Sequence, residues 1–305
     1  MDRSLGQGQS VIRFAFLYRF LNMELKCQVQ KYAWGKVGTK SLAAEFAASG
    51  RPDDFCVDGT APYAELWMGT HPNGPSVLKG IDSPTLADFI AKNPSMLGEE
   101  SRKIFGDQLP FLFKVLSVNK ALSIQAHPNK KHAEQLHKDH PDIYKDPNHK
   151  PEMAIALTDF EGLCGFRPLS QIQANLKAVP QISEAIGKDL AEALLKATKE
   201  NYESALKNAF TALIKCPKDA LGKALTSLKE DIDKKKCQTG TEMLFQRLWW
   251  DFPGDVGCFV IYFLNLIVLK PGEAMFLGPN LPHAYLSGDC IECMACSDNV
   301  VRYSF

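Results

Sequence analysis

The feature that most constrains this chain is a change of period in its middle third. From about Pro168 to Trp250, Ala, Leu, Lys and Glu dominate, and apolar residues recur at spacings of three and four. Leu190, Ala193, Leu194 and Ala197 form one such stripe; Ala205, Leu206, Ala209, Phe210 and Leu213 form another. Residues so spaced share one side of an α-helix, which predicts several helices packed through their stripes. The flanking sequence has a different character. Residues 111–118 and 122–127 before the block are rich in strand formers, as are 258–269, 274–277 and 282–285 after it, with Gly and Pro as punctuation. Helices are also predicted over 85–93 and 129–140, the second opened by Pro128 and Asn129 and stopped by Pro141. The pattern implies a β body interrupted by a helical insertion. Its divisions are a variable extension over 1–25, a first part of the β body over 26–167, a helical domain over 168–252 and the remaining strands over 253–305.

Composition excludes several classes of function. Lys plus Arg equals Asp plus Glu, at 35 each, so no overall basic field draws the chain to nucleic acid or an anionic membrane. Nine cysteines in 305 residues do not make a disulfide scaffold; free thiols in a reducing compartment are the simpler reading, and a cytoplasmic protein is expected. The longest apolar stretch, 257–269, contains Asn265 and is too short to span a bilayer. It reads as a buried strand pair or one long strand. Residues 11–21 are apolar apart from Arg13 and Arg19; a loosely attached extension is favoured over a targeting segment.

Three polar residues stand out within these β-rich stretches. His127 ends the word Gln125-Ala-His127, Glu152 ends His149-Lys-Pro-Glu152, and His283 lies in Pro282-His-Ala-Tyr285. In a strand Gln125 and His127 point the same way. Zinc accepts imidazole nitrogen and carboxylate oxygen, so general chemistry offers His127, Glu152 and His283 as one ligand set, against the alternative of three unrelated polar residues. A dication with one carboxylate leaves a net positive site, suited to an oxyanion developing on a substrate. Two other clusters read as bland. Cys290, Cys293 and Cys296 are followed by Ser297 where an iron–sulfur motif wants a fourth Cys and Pro, which favours buried thiols. His132, His137 and His140 read as part of a solvated helix face.

Longer words then identify a family. Tyr32-Ala-Trp-Gly35, 62–72, 109–116, 122–130, 148–154, Pro282-His-Ala-Tyr285 and 296–302 together resemble type I mannose-6-phosphate isomerase, in order, from about Lys26 to Arg302. The resemblance implies a cupin-like β jelly roll interrupted by an inserted α-helical domain, with its C-terminal β region missing. It implies one zinc ion per chain held by Gln125, His127, Glu152 and His283, adding the Gln that general chemistry did not supply. It implies interconversion of mannose 6-phosphate and fructose 6-phosphate through a cis-enediol, feeding GDP-mannose synthesis and glycosylation. Glu292 is then the first candidate base and Lys150 the second. Arg302 joins the active site, and Trp34, Glu65, Lys114 and Tyr285 face the substrate. The expected partner is a small sugar phosphate, with no nucleic acid or membrane, and the expected state is a monomer. The family's usual continuation after the Arg word is replaced by Arg302-Tyr-Ser-Phe305. A truncated or alternatively spliced form with weak or no activity is therefore expected. The alternatives are a non-catalytic cupin that keeps zinc and sugar phosphate, and a cupin dioxygenase with iron.

Overall fold

The structure, a computed structural model, describes residues 23–80 and 85–304. Most of the 1–25 extension thus lies outside the described residues; Met23 and Leu25 pack against Leu78, Leu86, Phe89 and Ile90. In chain order the strands are β1 (Leu25–Lys26), β2 (Gln28–Gln30), β3 (Lys36–Val37), β4 (Pro62–Tyr63), β5 (Glu65–Met68), β6 (Val77–Leu78) and β7 (Phe111–Val118). They continue as β8 (Ile124–Ala126), β9 (Glu152–Ala156), β10 (Phe160–Phe166), β11 (Leu264–Leu269), β12 (Ala274–Leu277), β13 (His283–Ala295) and β14 (Val301–Ser304).

The long strand β13 organises the molecule. Its first residues pair with β10 and β8, and its last with β7 and β9, all antiparallel. β11 extends one side beyond β10, β5 and β2 extend the other beyond β7, and β12 and β14 close on β9 and β8. One strand thereby serves two sheet layers, the cupin-like jelly-roll arrangement, with an apolar interior of Leu116, Val118, Phe160, Leu277, Tyr285 and Cys290.

A bulge makes the turn between layers possible. Ser287 pairs with Glu161 but Tyr285 pairs with Gly162, so Leu286 is an extra residue in β13. Two residues on, Gly288 has φ 107°, and a Cβ there would lie 2.4 Å from the Asp159 carbonyl oxygen. Only glycine fits. The slip changes which residues face inward: Tyr285 and Cys290 share the interior cluster, whereas Leu286 enters the cluster beneath the helices. The buried Asp289 pins the bend by pairing with the Lys36 ammonium and accepting from the Thr158 hydroxyl at 3.3 Å.

Helices fill the interval between β10 and β11, from Leu169–Ala178 to Gly240–Asp251. The last opens with a capping box in which Thr239 and Glu242 each satisfy the other's backbone N–H. Ile182, Leu194, Phe210, Leu213, Leu225 and Phe245 form one cluster with Ile124, Leu163, Leu264 and Leu286 of the strands. Each such side chain contributes about 1.5–3 kcal/mol by leaving water, and the contacts make the insertion continuous with the body.

Two details differ from the sequence reading. Residues 258–269 are not one strand or a strand pair: Gly257–Val260 is a helical turn, with the Gly257 N–H donating to Asp255 at 2.7 Å, and the strand begins at Leu264. Cys258 to Leu264 is buried on every side, and a run without a polar face carries no period to separate helix from strand. In the helix Lys188–Leu195 the core stripe is Ala191 and Leu194, while Ala193 is exposed.

Candidate metal centre

The sheet register brings distant residues together. His283, the first residue of β13, lies opposite Gln125 of β8, and Gln125 lies opposite Arg302 of β14. Directly paired residues project from the same face, so these three form a row across three strands. His127 follows β8 by one residue, and Glu152 opens β9. His127, Glu152 and His283 are 1%, 3% and 1% exposed. One Glu152 oxygen, Oε2, lies 3.4 Å from His127 Nε2 and 3.3 Å from His283 Nε2.

The outer ring nitrogens decide what the inner ones can do. His127 Nδ1 is 2.7 Å from the Asn299 carbonyl oxygen, and His283 Nδ1 is 2.8 Å from that of Leu281. A carbonyl only accepts, so each Nδ1 donates and the neutral ring presents a lone pair at Nε2. Both Nε2 atoms and Glu152 Oε2 are buried without a hydrogen-bond partner. Three acceptors converging in a dry interior is costly unless a cation lies among them. Imidazole nitrogen and carboxylate oxygen suit zinc, and backbone carbonyls behind the histidines are the usual support. The triad is the group able to hold a metal ion among the described residues, and Gln125, opposite His283, shares its face.

Asn299 is a residue the sequence reading passed over. It is buried, and its amide donates to the carbonyls of Asp146 at 2.7 Å and Asn148 at 2.8 Å, fixing the carbonyl that orients His127. The signal was available in the Ser297-Asp-Asn299 word, which was used only to place Arg302.

A second set of charges lies beside the triad on the same interior face. Lys150 Nζ is 3.0 Å from Glu152 Oε1. Lys114 on β7 is 3.4 Å from both Glu65 Oε2 and Glu292 Oε2, with Trp67 beneath it. The Trp67 indole N–H donates to Glu65, and the Tyr285 hydroxyl donates to Glu292 Oε1 at 2.8 Å. Burial opposes charge at Glu152, and the Lys150 ammonium beside it works the other way, with the carboxyl well below its usual range. At Glu292 burial leads, the negative Glu152 adds to it, and Lys114 only partly offsets them, so the carboxyl is raised. Burial works against the Lys114 charge, yet Glu292 and Glu65 hold its ammonium above the usual value. Trp34 is half-buried against the interior cluster, and the Arg302 side chain is exposed. A groove of about 560 Å³ lies on the outer side of β9 and β13, lined by Met153, Phe276 and Cys293; it borders Glu152 but none of His127, His283, Lys114 or Glu292. The larger cavity, about 810 Å³, contains none of the triad and sits where Phe166, Tyr202 and Phe210 meet Tyr303. The Cys290–Cys296 set does not converge: Cys290 faces the interior, and Cys293, three residues on, the opposite side.

A jelly roll with a buried pair of histidines and a carboxylate inside it, and helices inserted between its strands, defines a cupin-like protein with a candidate metal site. Comparison with known proteins narrows this. Residues 22–169 match the model of the phosphomannose isomerase type I catalytic domain, and residues 181–264 that of its helical insertion domain. The mannose-6-phosphate isomerase of Rattus norvegicus is 52% identical over 289 residues, covering 91% of this chain and 68% of the relative. The Homo sapiens enzyme of the same name is 50% identical with the same coverage. Phosphomannose isomerase from Salmonella typhimurium, solved with substrate (f6p) and zinc, superposes with a TM-score of 0.80 at 35% identity, covering 93% of this chain and 70% of that one. The chain belongs to the type I phosphomannose isomerase family, a family of isomerases.

Proposed function

We propose that this chain is a zinc-dependent aldose–ketose isomerase that interconverts mannose 6-phosphate and fructose 6-phosphate through a cis-enediol. The observation that carries the reading is the set of three buried acceptor atoms facing one another with no donor between them, beside a carboxyl of raised pKa. His127, Glu152 and His283, with Gln125 from the same row, would hold one zinc ion per chain. When bound, the ion supplies positive charge that stabilises developing oxyanions on adjacent sugar carbons.

The chain's own residues do the rest. Glu292 is the base that moves the proton between the two carbons, since burial and Glu152 bring its carboxyl closer to neutral pH than an ordinary glutamate. Lys114 grips the other oxygen of that carboxylate and keeps it charged. Lys150 occupies Glu152 Oε1, which leaves Oε2 free to join the two Nε2 lone pairs in holding the ion. Trp34, Glu65, Lys114 and Tyr285 border the substrate, and Arg302, the exposed cation of the row, meets the phosphate. Glu292 also separates this reading from non-catalytic binding of a sugar phosphate, which needs no buried carboxyl of raised pKa. The nine free thiols suit a reducing cytoplasm, where the product feeds GDP-mannose synthesis and glycosylation. Among the described residues no helix is long and apolar enough to cross a membrane. The test is a coupled assay of the purified, zinc-loaded chain with mannose 6-phosphate: turnover is expected, lowered about a thousandfold in Glu292→Gln. Sugar-phosphate binding without any turnover would refute catalysis and leave the binding protein.

A further inference from the structure

The structure assigns to Tyr285 a task beyond bordering the substrate: we propose that it is a positioning residue, whose hydroxyl orients the Glu292 carboxylate for proton transfer. The proposal rests on the reading of Glu292 as the base. Its geometric basis is that both Glu292 oxygens are engaged in different ways. Oε1 accepts from the Tyr285 hydroxyl at 2.8 Å, and Oε2 faces the Lys114 ammonium at 3.4 Å. Two contacts on the two oxygens fix the plane of the carboxylate, which a single ion pair leaves free to rotate. Lys114 is itself held, by Glu65 behind it and the Trp67 indole beneath. Tyr285 is anchored by an edge-on contact with Phe160, ring centroids 5.3 Å apart. The phenol is 4% exposed, so water does not compete for its hydroxyl.

The contact also exists only because of the bulge in β13. Residues 285 and 292 are seven apart, and in an unbroken strand they would point to opposite faces. The extra residue Leu286, followed by Gly288, puts both on the interior side. A device that brings this one hydroxyl to this one carboxylate has a direct consequence for chemistry, because a base displaced by about 1 Å loses much of its rate.

The groups that face Glu292 are Tyr285 on its own strand, Lys114 and Glu65 on the strands to one side, and Glu152 with Lys150 on the other. The test compares wild type, Tyr285→Phe, Glu292→Gln and the double variant as zinc-loaded full chains. Tyr285→Phe keeps the buried ring and deletes only the donor. Its kcat is expected to fall about ten- to a hundredfold with KM within about twofold. The deuterium isotope effect with mannose 6-phosphate labelled at carbon 2 is expected to rise as proton transfer becomes slower. The double variant is expected to be no slower than Glu292→Gln alone. An unchanged kcat and isotope effect in Tyr285→Phe, or an additional full loss in the double variant, overturns the proposal. A second readout needs no turnover: in carboxyl carbon NMR of labelled protein, the Glu292 signal, identified by its absence in Glu292→Gln, should titrate at higher pH in Tyr285→Phe. An unmoved midpoint overturns the contact. A shift between wild type and Tyr285→Phe, with no isomerase turnover in the wild-type chain, refutes the functional reading while the Tyr285–Glu292 contact stands.

Discussion

At the scale of single residues, the centre is a problem in electrostatic balance. Three buried carboxylates, Glu65, Glu152 and Glu292, face two ammoniums, Lys114 and Lys150, so one negative charge is left for a dication to exceed. This balance sets the pH dependence. Glu292 works as a base only when ionised, and its carboxyl is raised, so activity should fall on the acid side through a pH above the usual glutamate range of about 4.3. Lys114 favours the ionised form; Lys114→Met should therefore move that acid limb upward by roughly one unit. A kcat/KM profile against pH measures it, and a limb that stays in place or moves downward contradicts the assignment. The convergence of His127, Glu152 and His283 was legible in the sequence as a candidate ligand set, because each is embedded in a long word and their chemistry is specific. The orienting groups behind them were not. The carbonyls of Asn299 and Leu281 are backbone atoms, and nothing in a side-chain pattern announces which carbonyl a histidine will find.

At the scale of elements, β13 decides the site. Sequence alone gives a strand beginning near His283 and a carboxylate nine residues later, an odd separation that strict alternation would put on the opposite face. The bulge at Leu286 and the left-handed Gly288 reverse that outcome. A glycine inside a strand pattern was the available signal. Gly288→Ala should therefore be costly: its Cβ would meet the Asp159 carbonyl at 2.4 Å in a backbone conformation alanine avoids. About 2–4 kcal/mol of stability should be lost, read by urea denaturation, with activity falling in the surviving folded fraction. A change below about 0.5 kcal/mol would mean that the bend tolerates a side chain. The run before β11 was misread for a different reason. It is buried on every side, so its period was uninformative, and the Asp255 contact that starts a helical turn there weighs more than β-propensity.

At the scale of the whole molecule, the helical insertion and the jelly roll share one apolar cluster. They should unfold together. Phe245, fully buried in that cluster, is far from the metal centre in sequence; Phe245→Ala should cost about 3–5 kcal/mol and lower a single transition for both parts. Two separate transitions in calorimetry would show that the insertion folds on its own. The same unity bears on the candidate centre, whose residues come from the end of β8, from β9 and from β13 and converge only through the sheet pairing. The most direct test of the account is zinc content and isomerase turnover measured on the same chelator-treated sample, before and after zinc is restored in steps. The account predicts turnover that disappears with the metal and returns in proportion to zinc until one ion is bound per chain. Turnover that persists without metal, or zinc that binds fully while His127→Ala and His283→Ala bind it equally well, would contradict it.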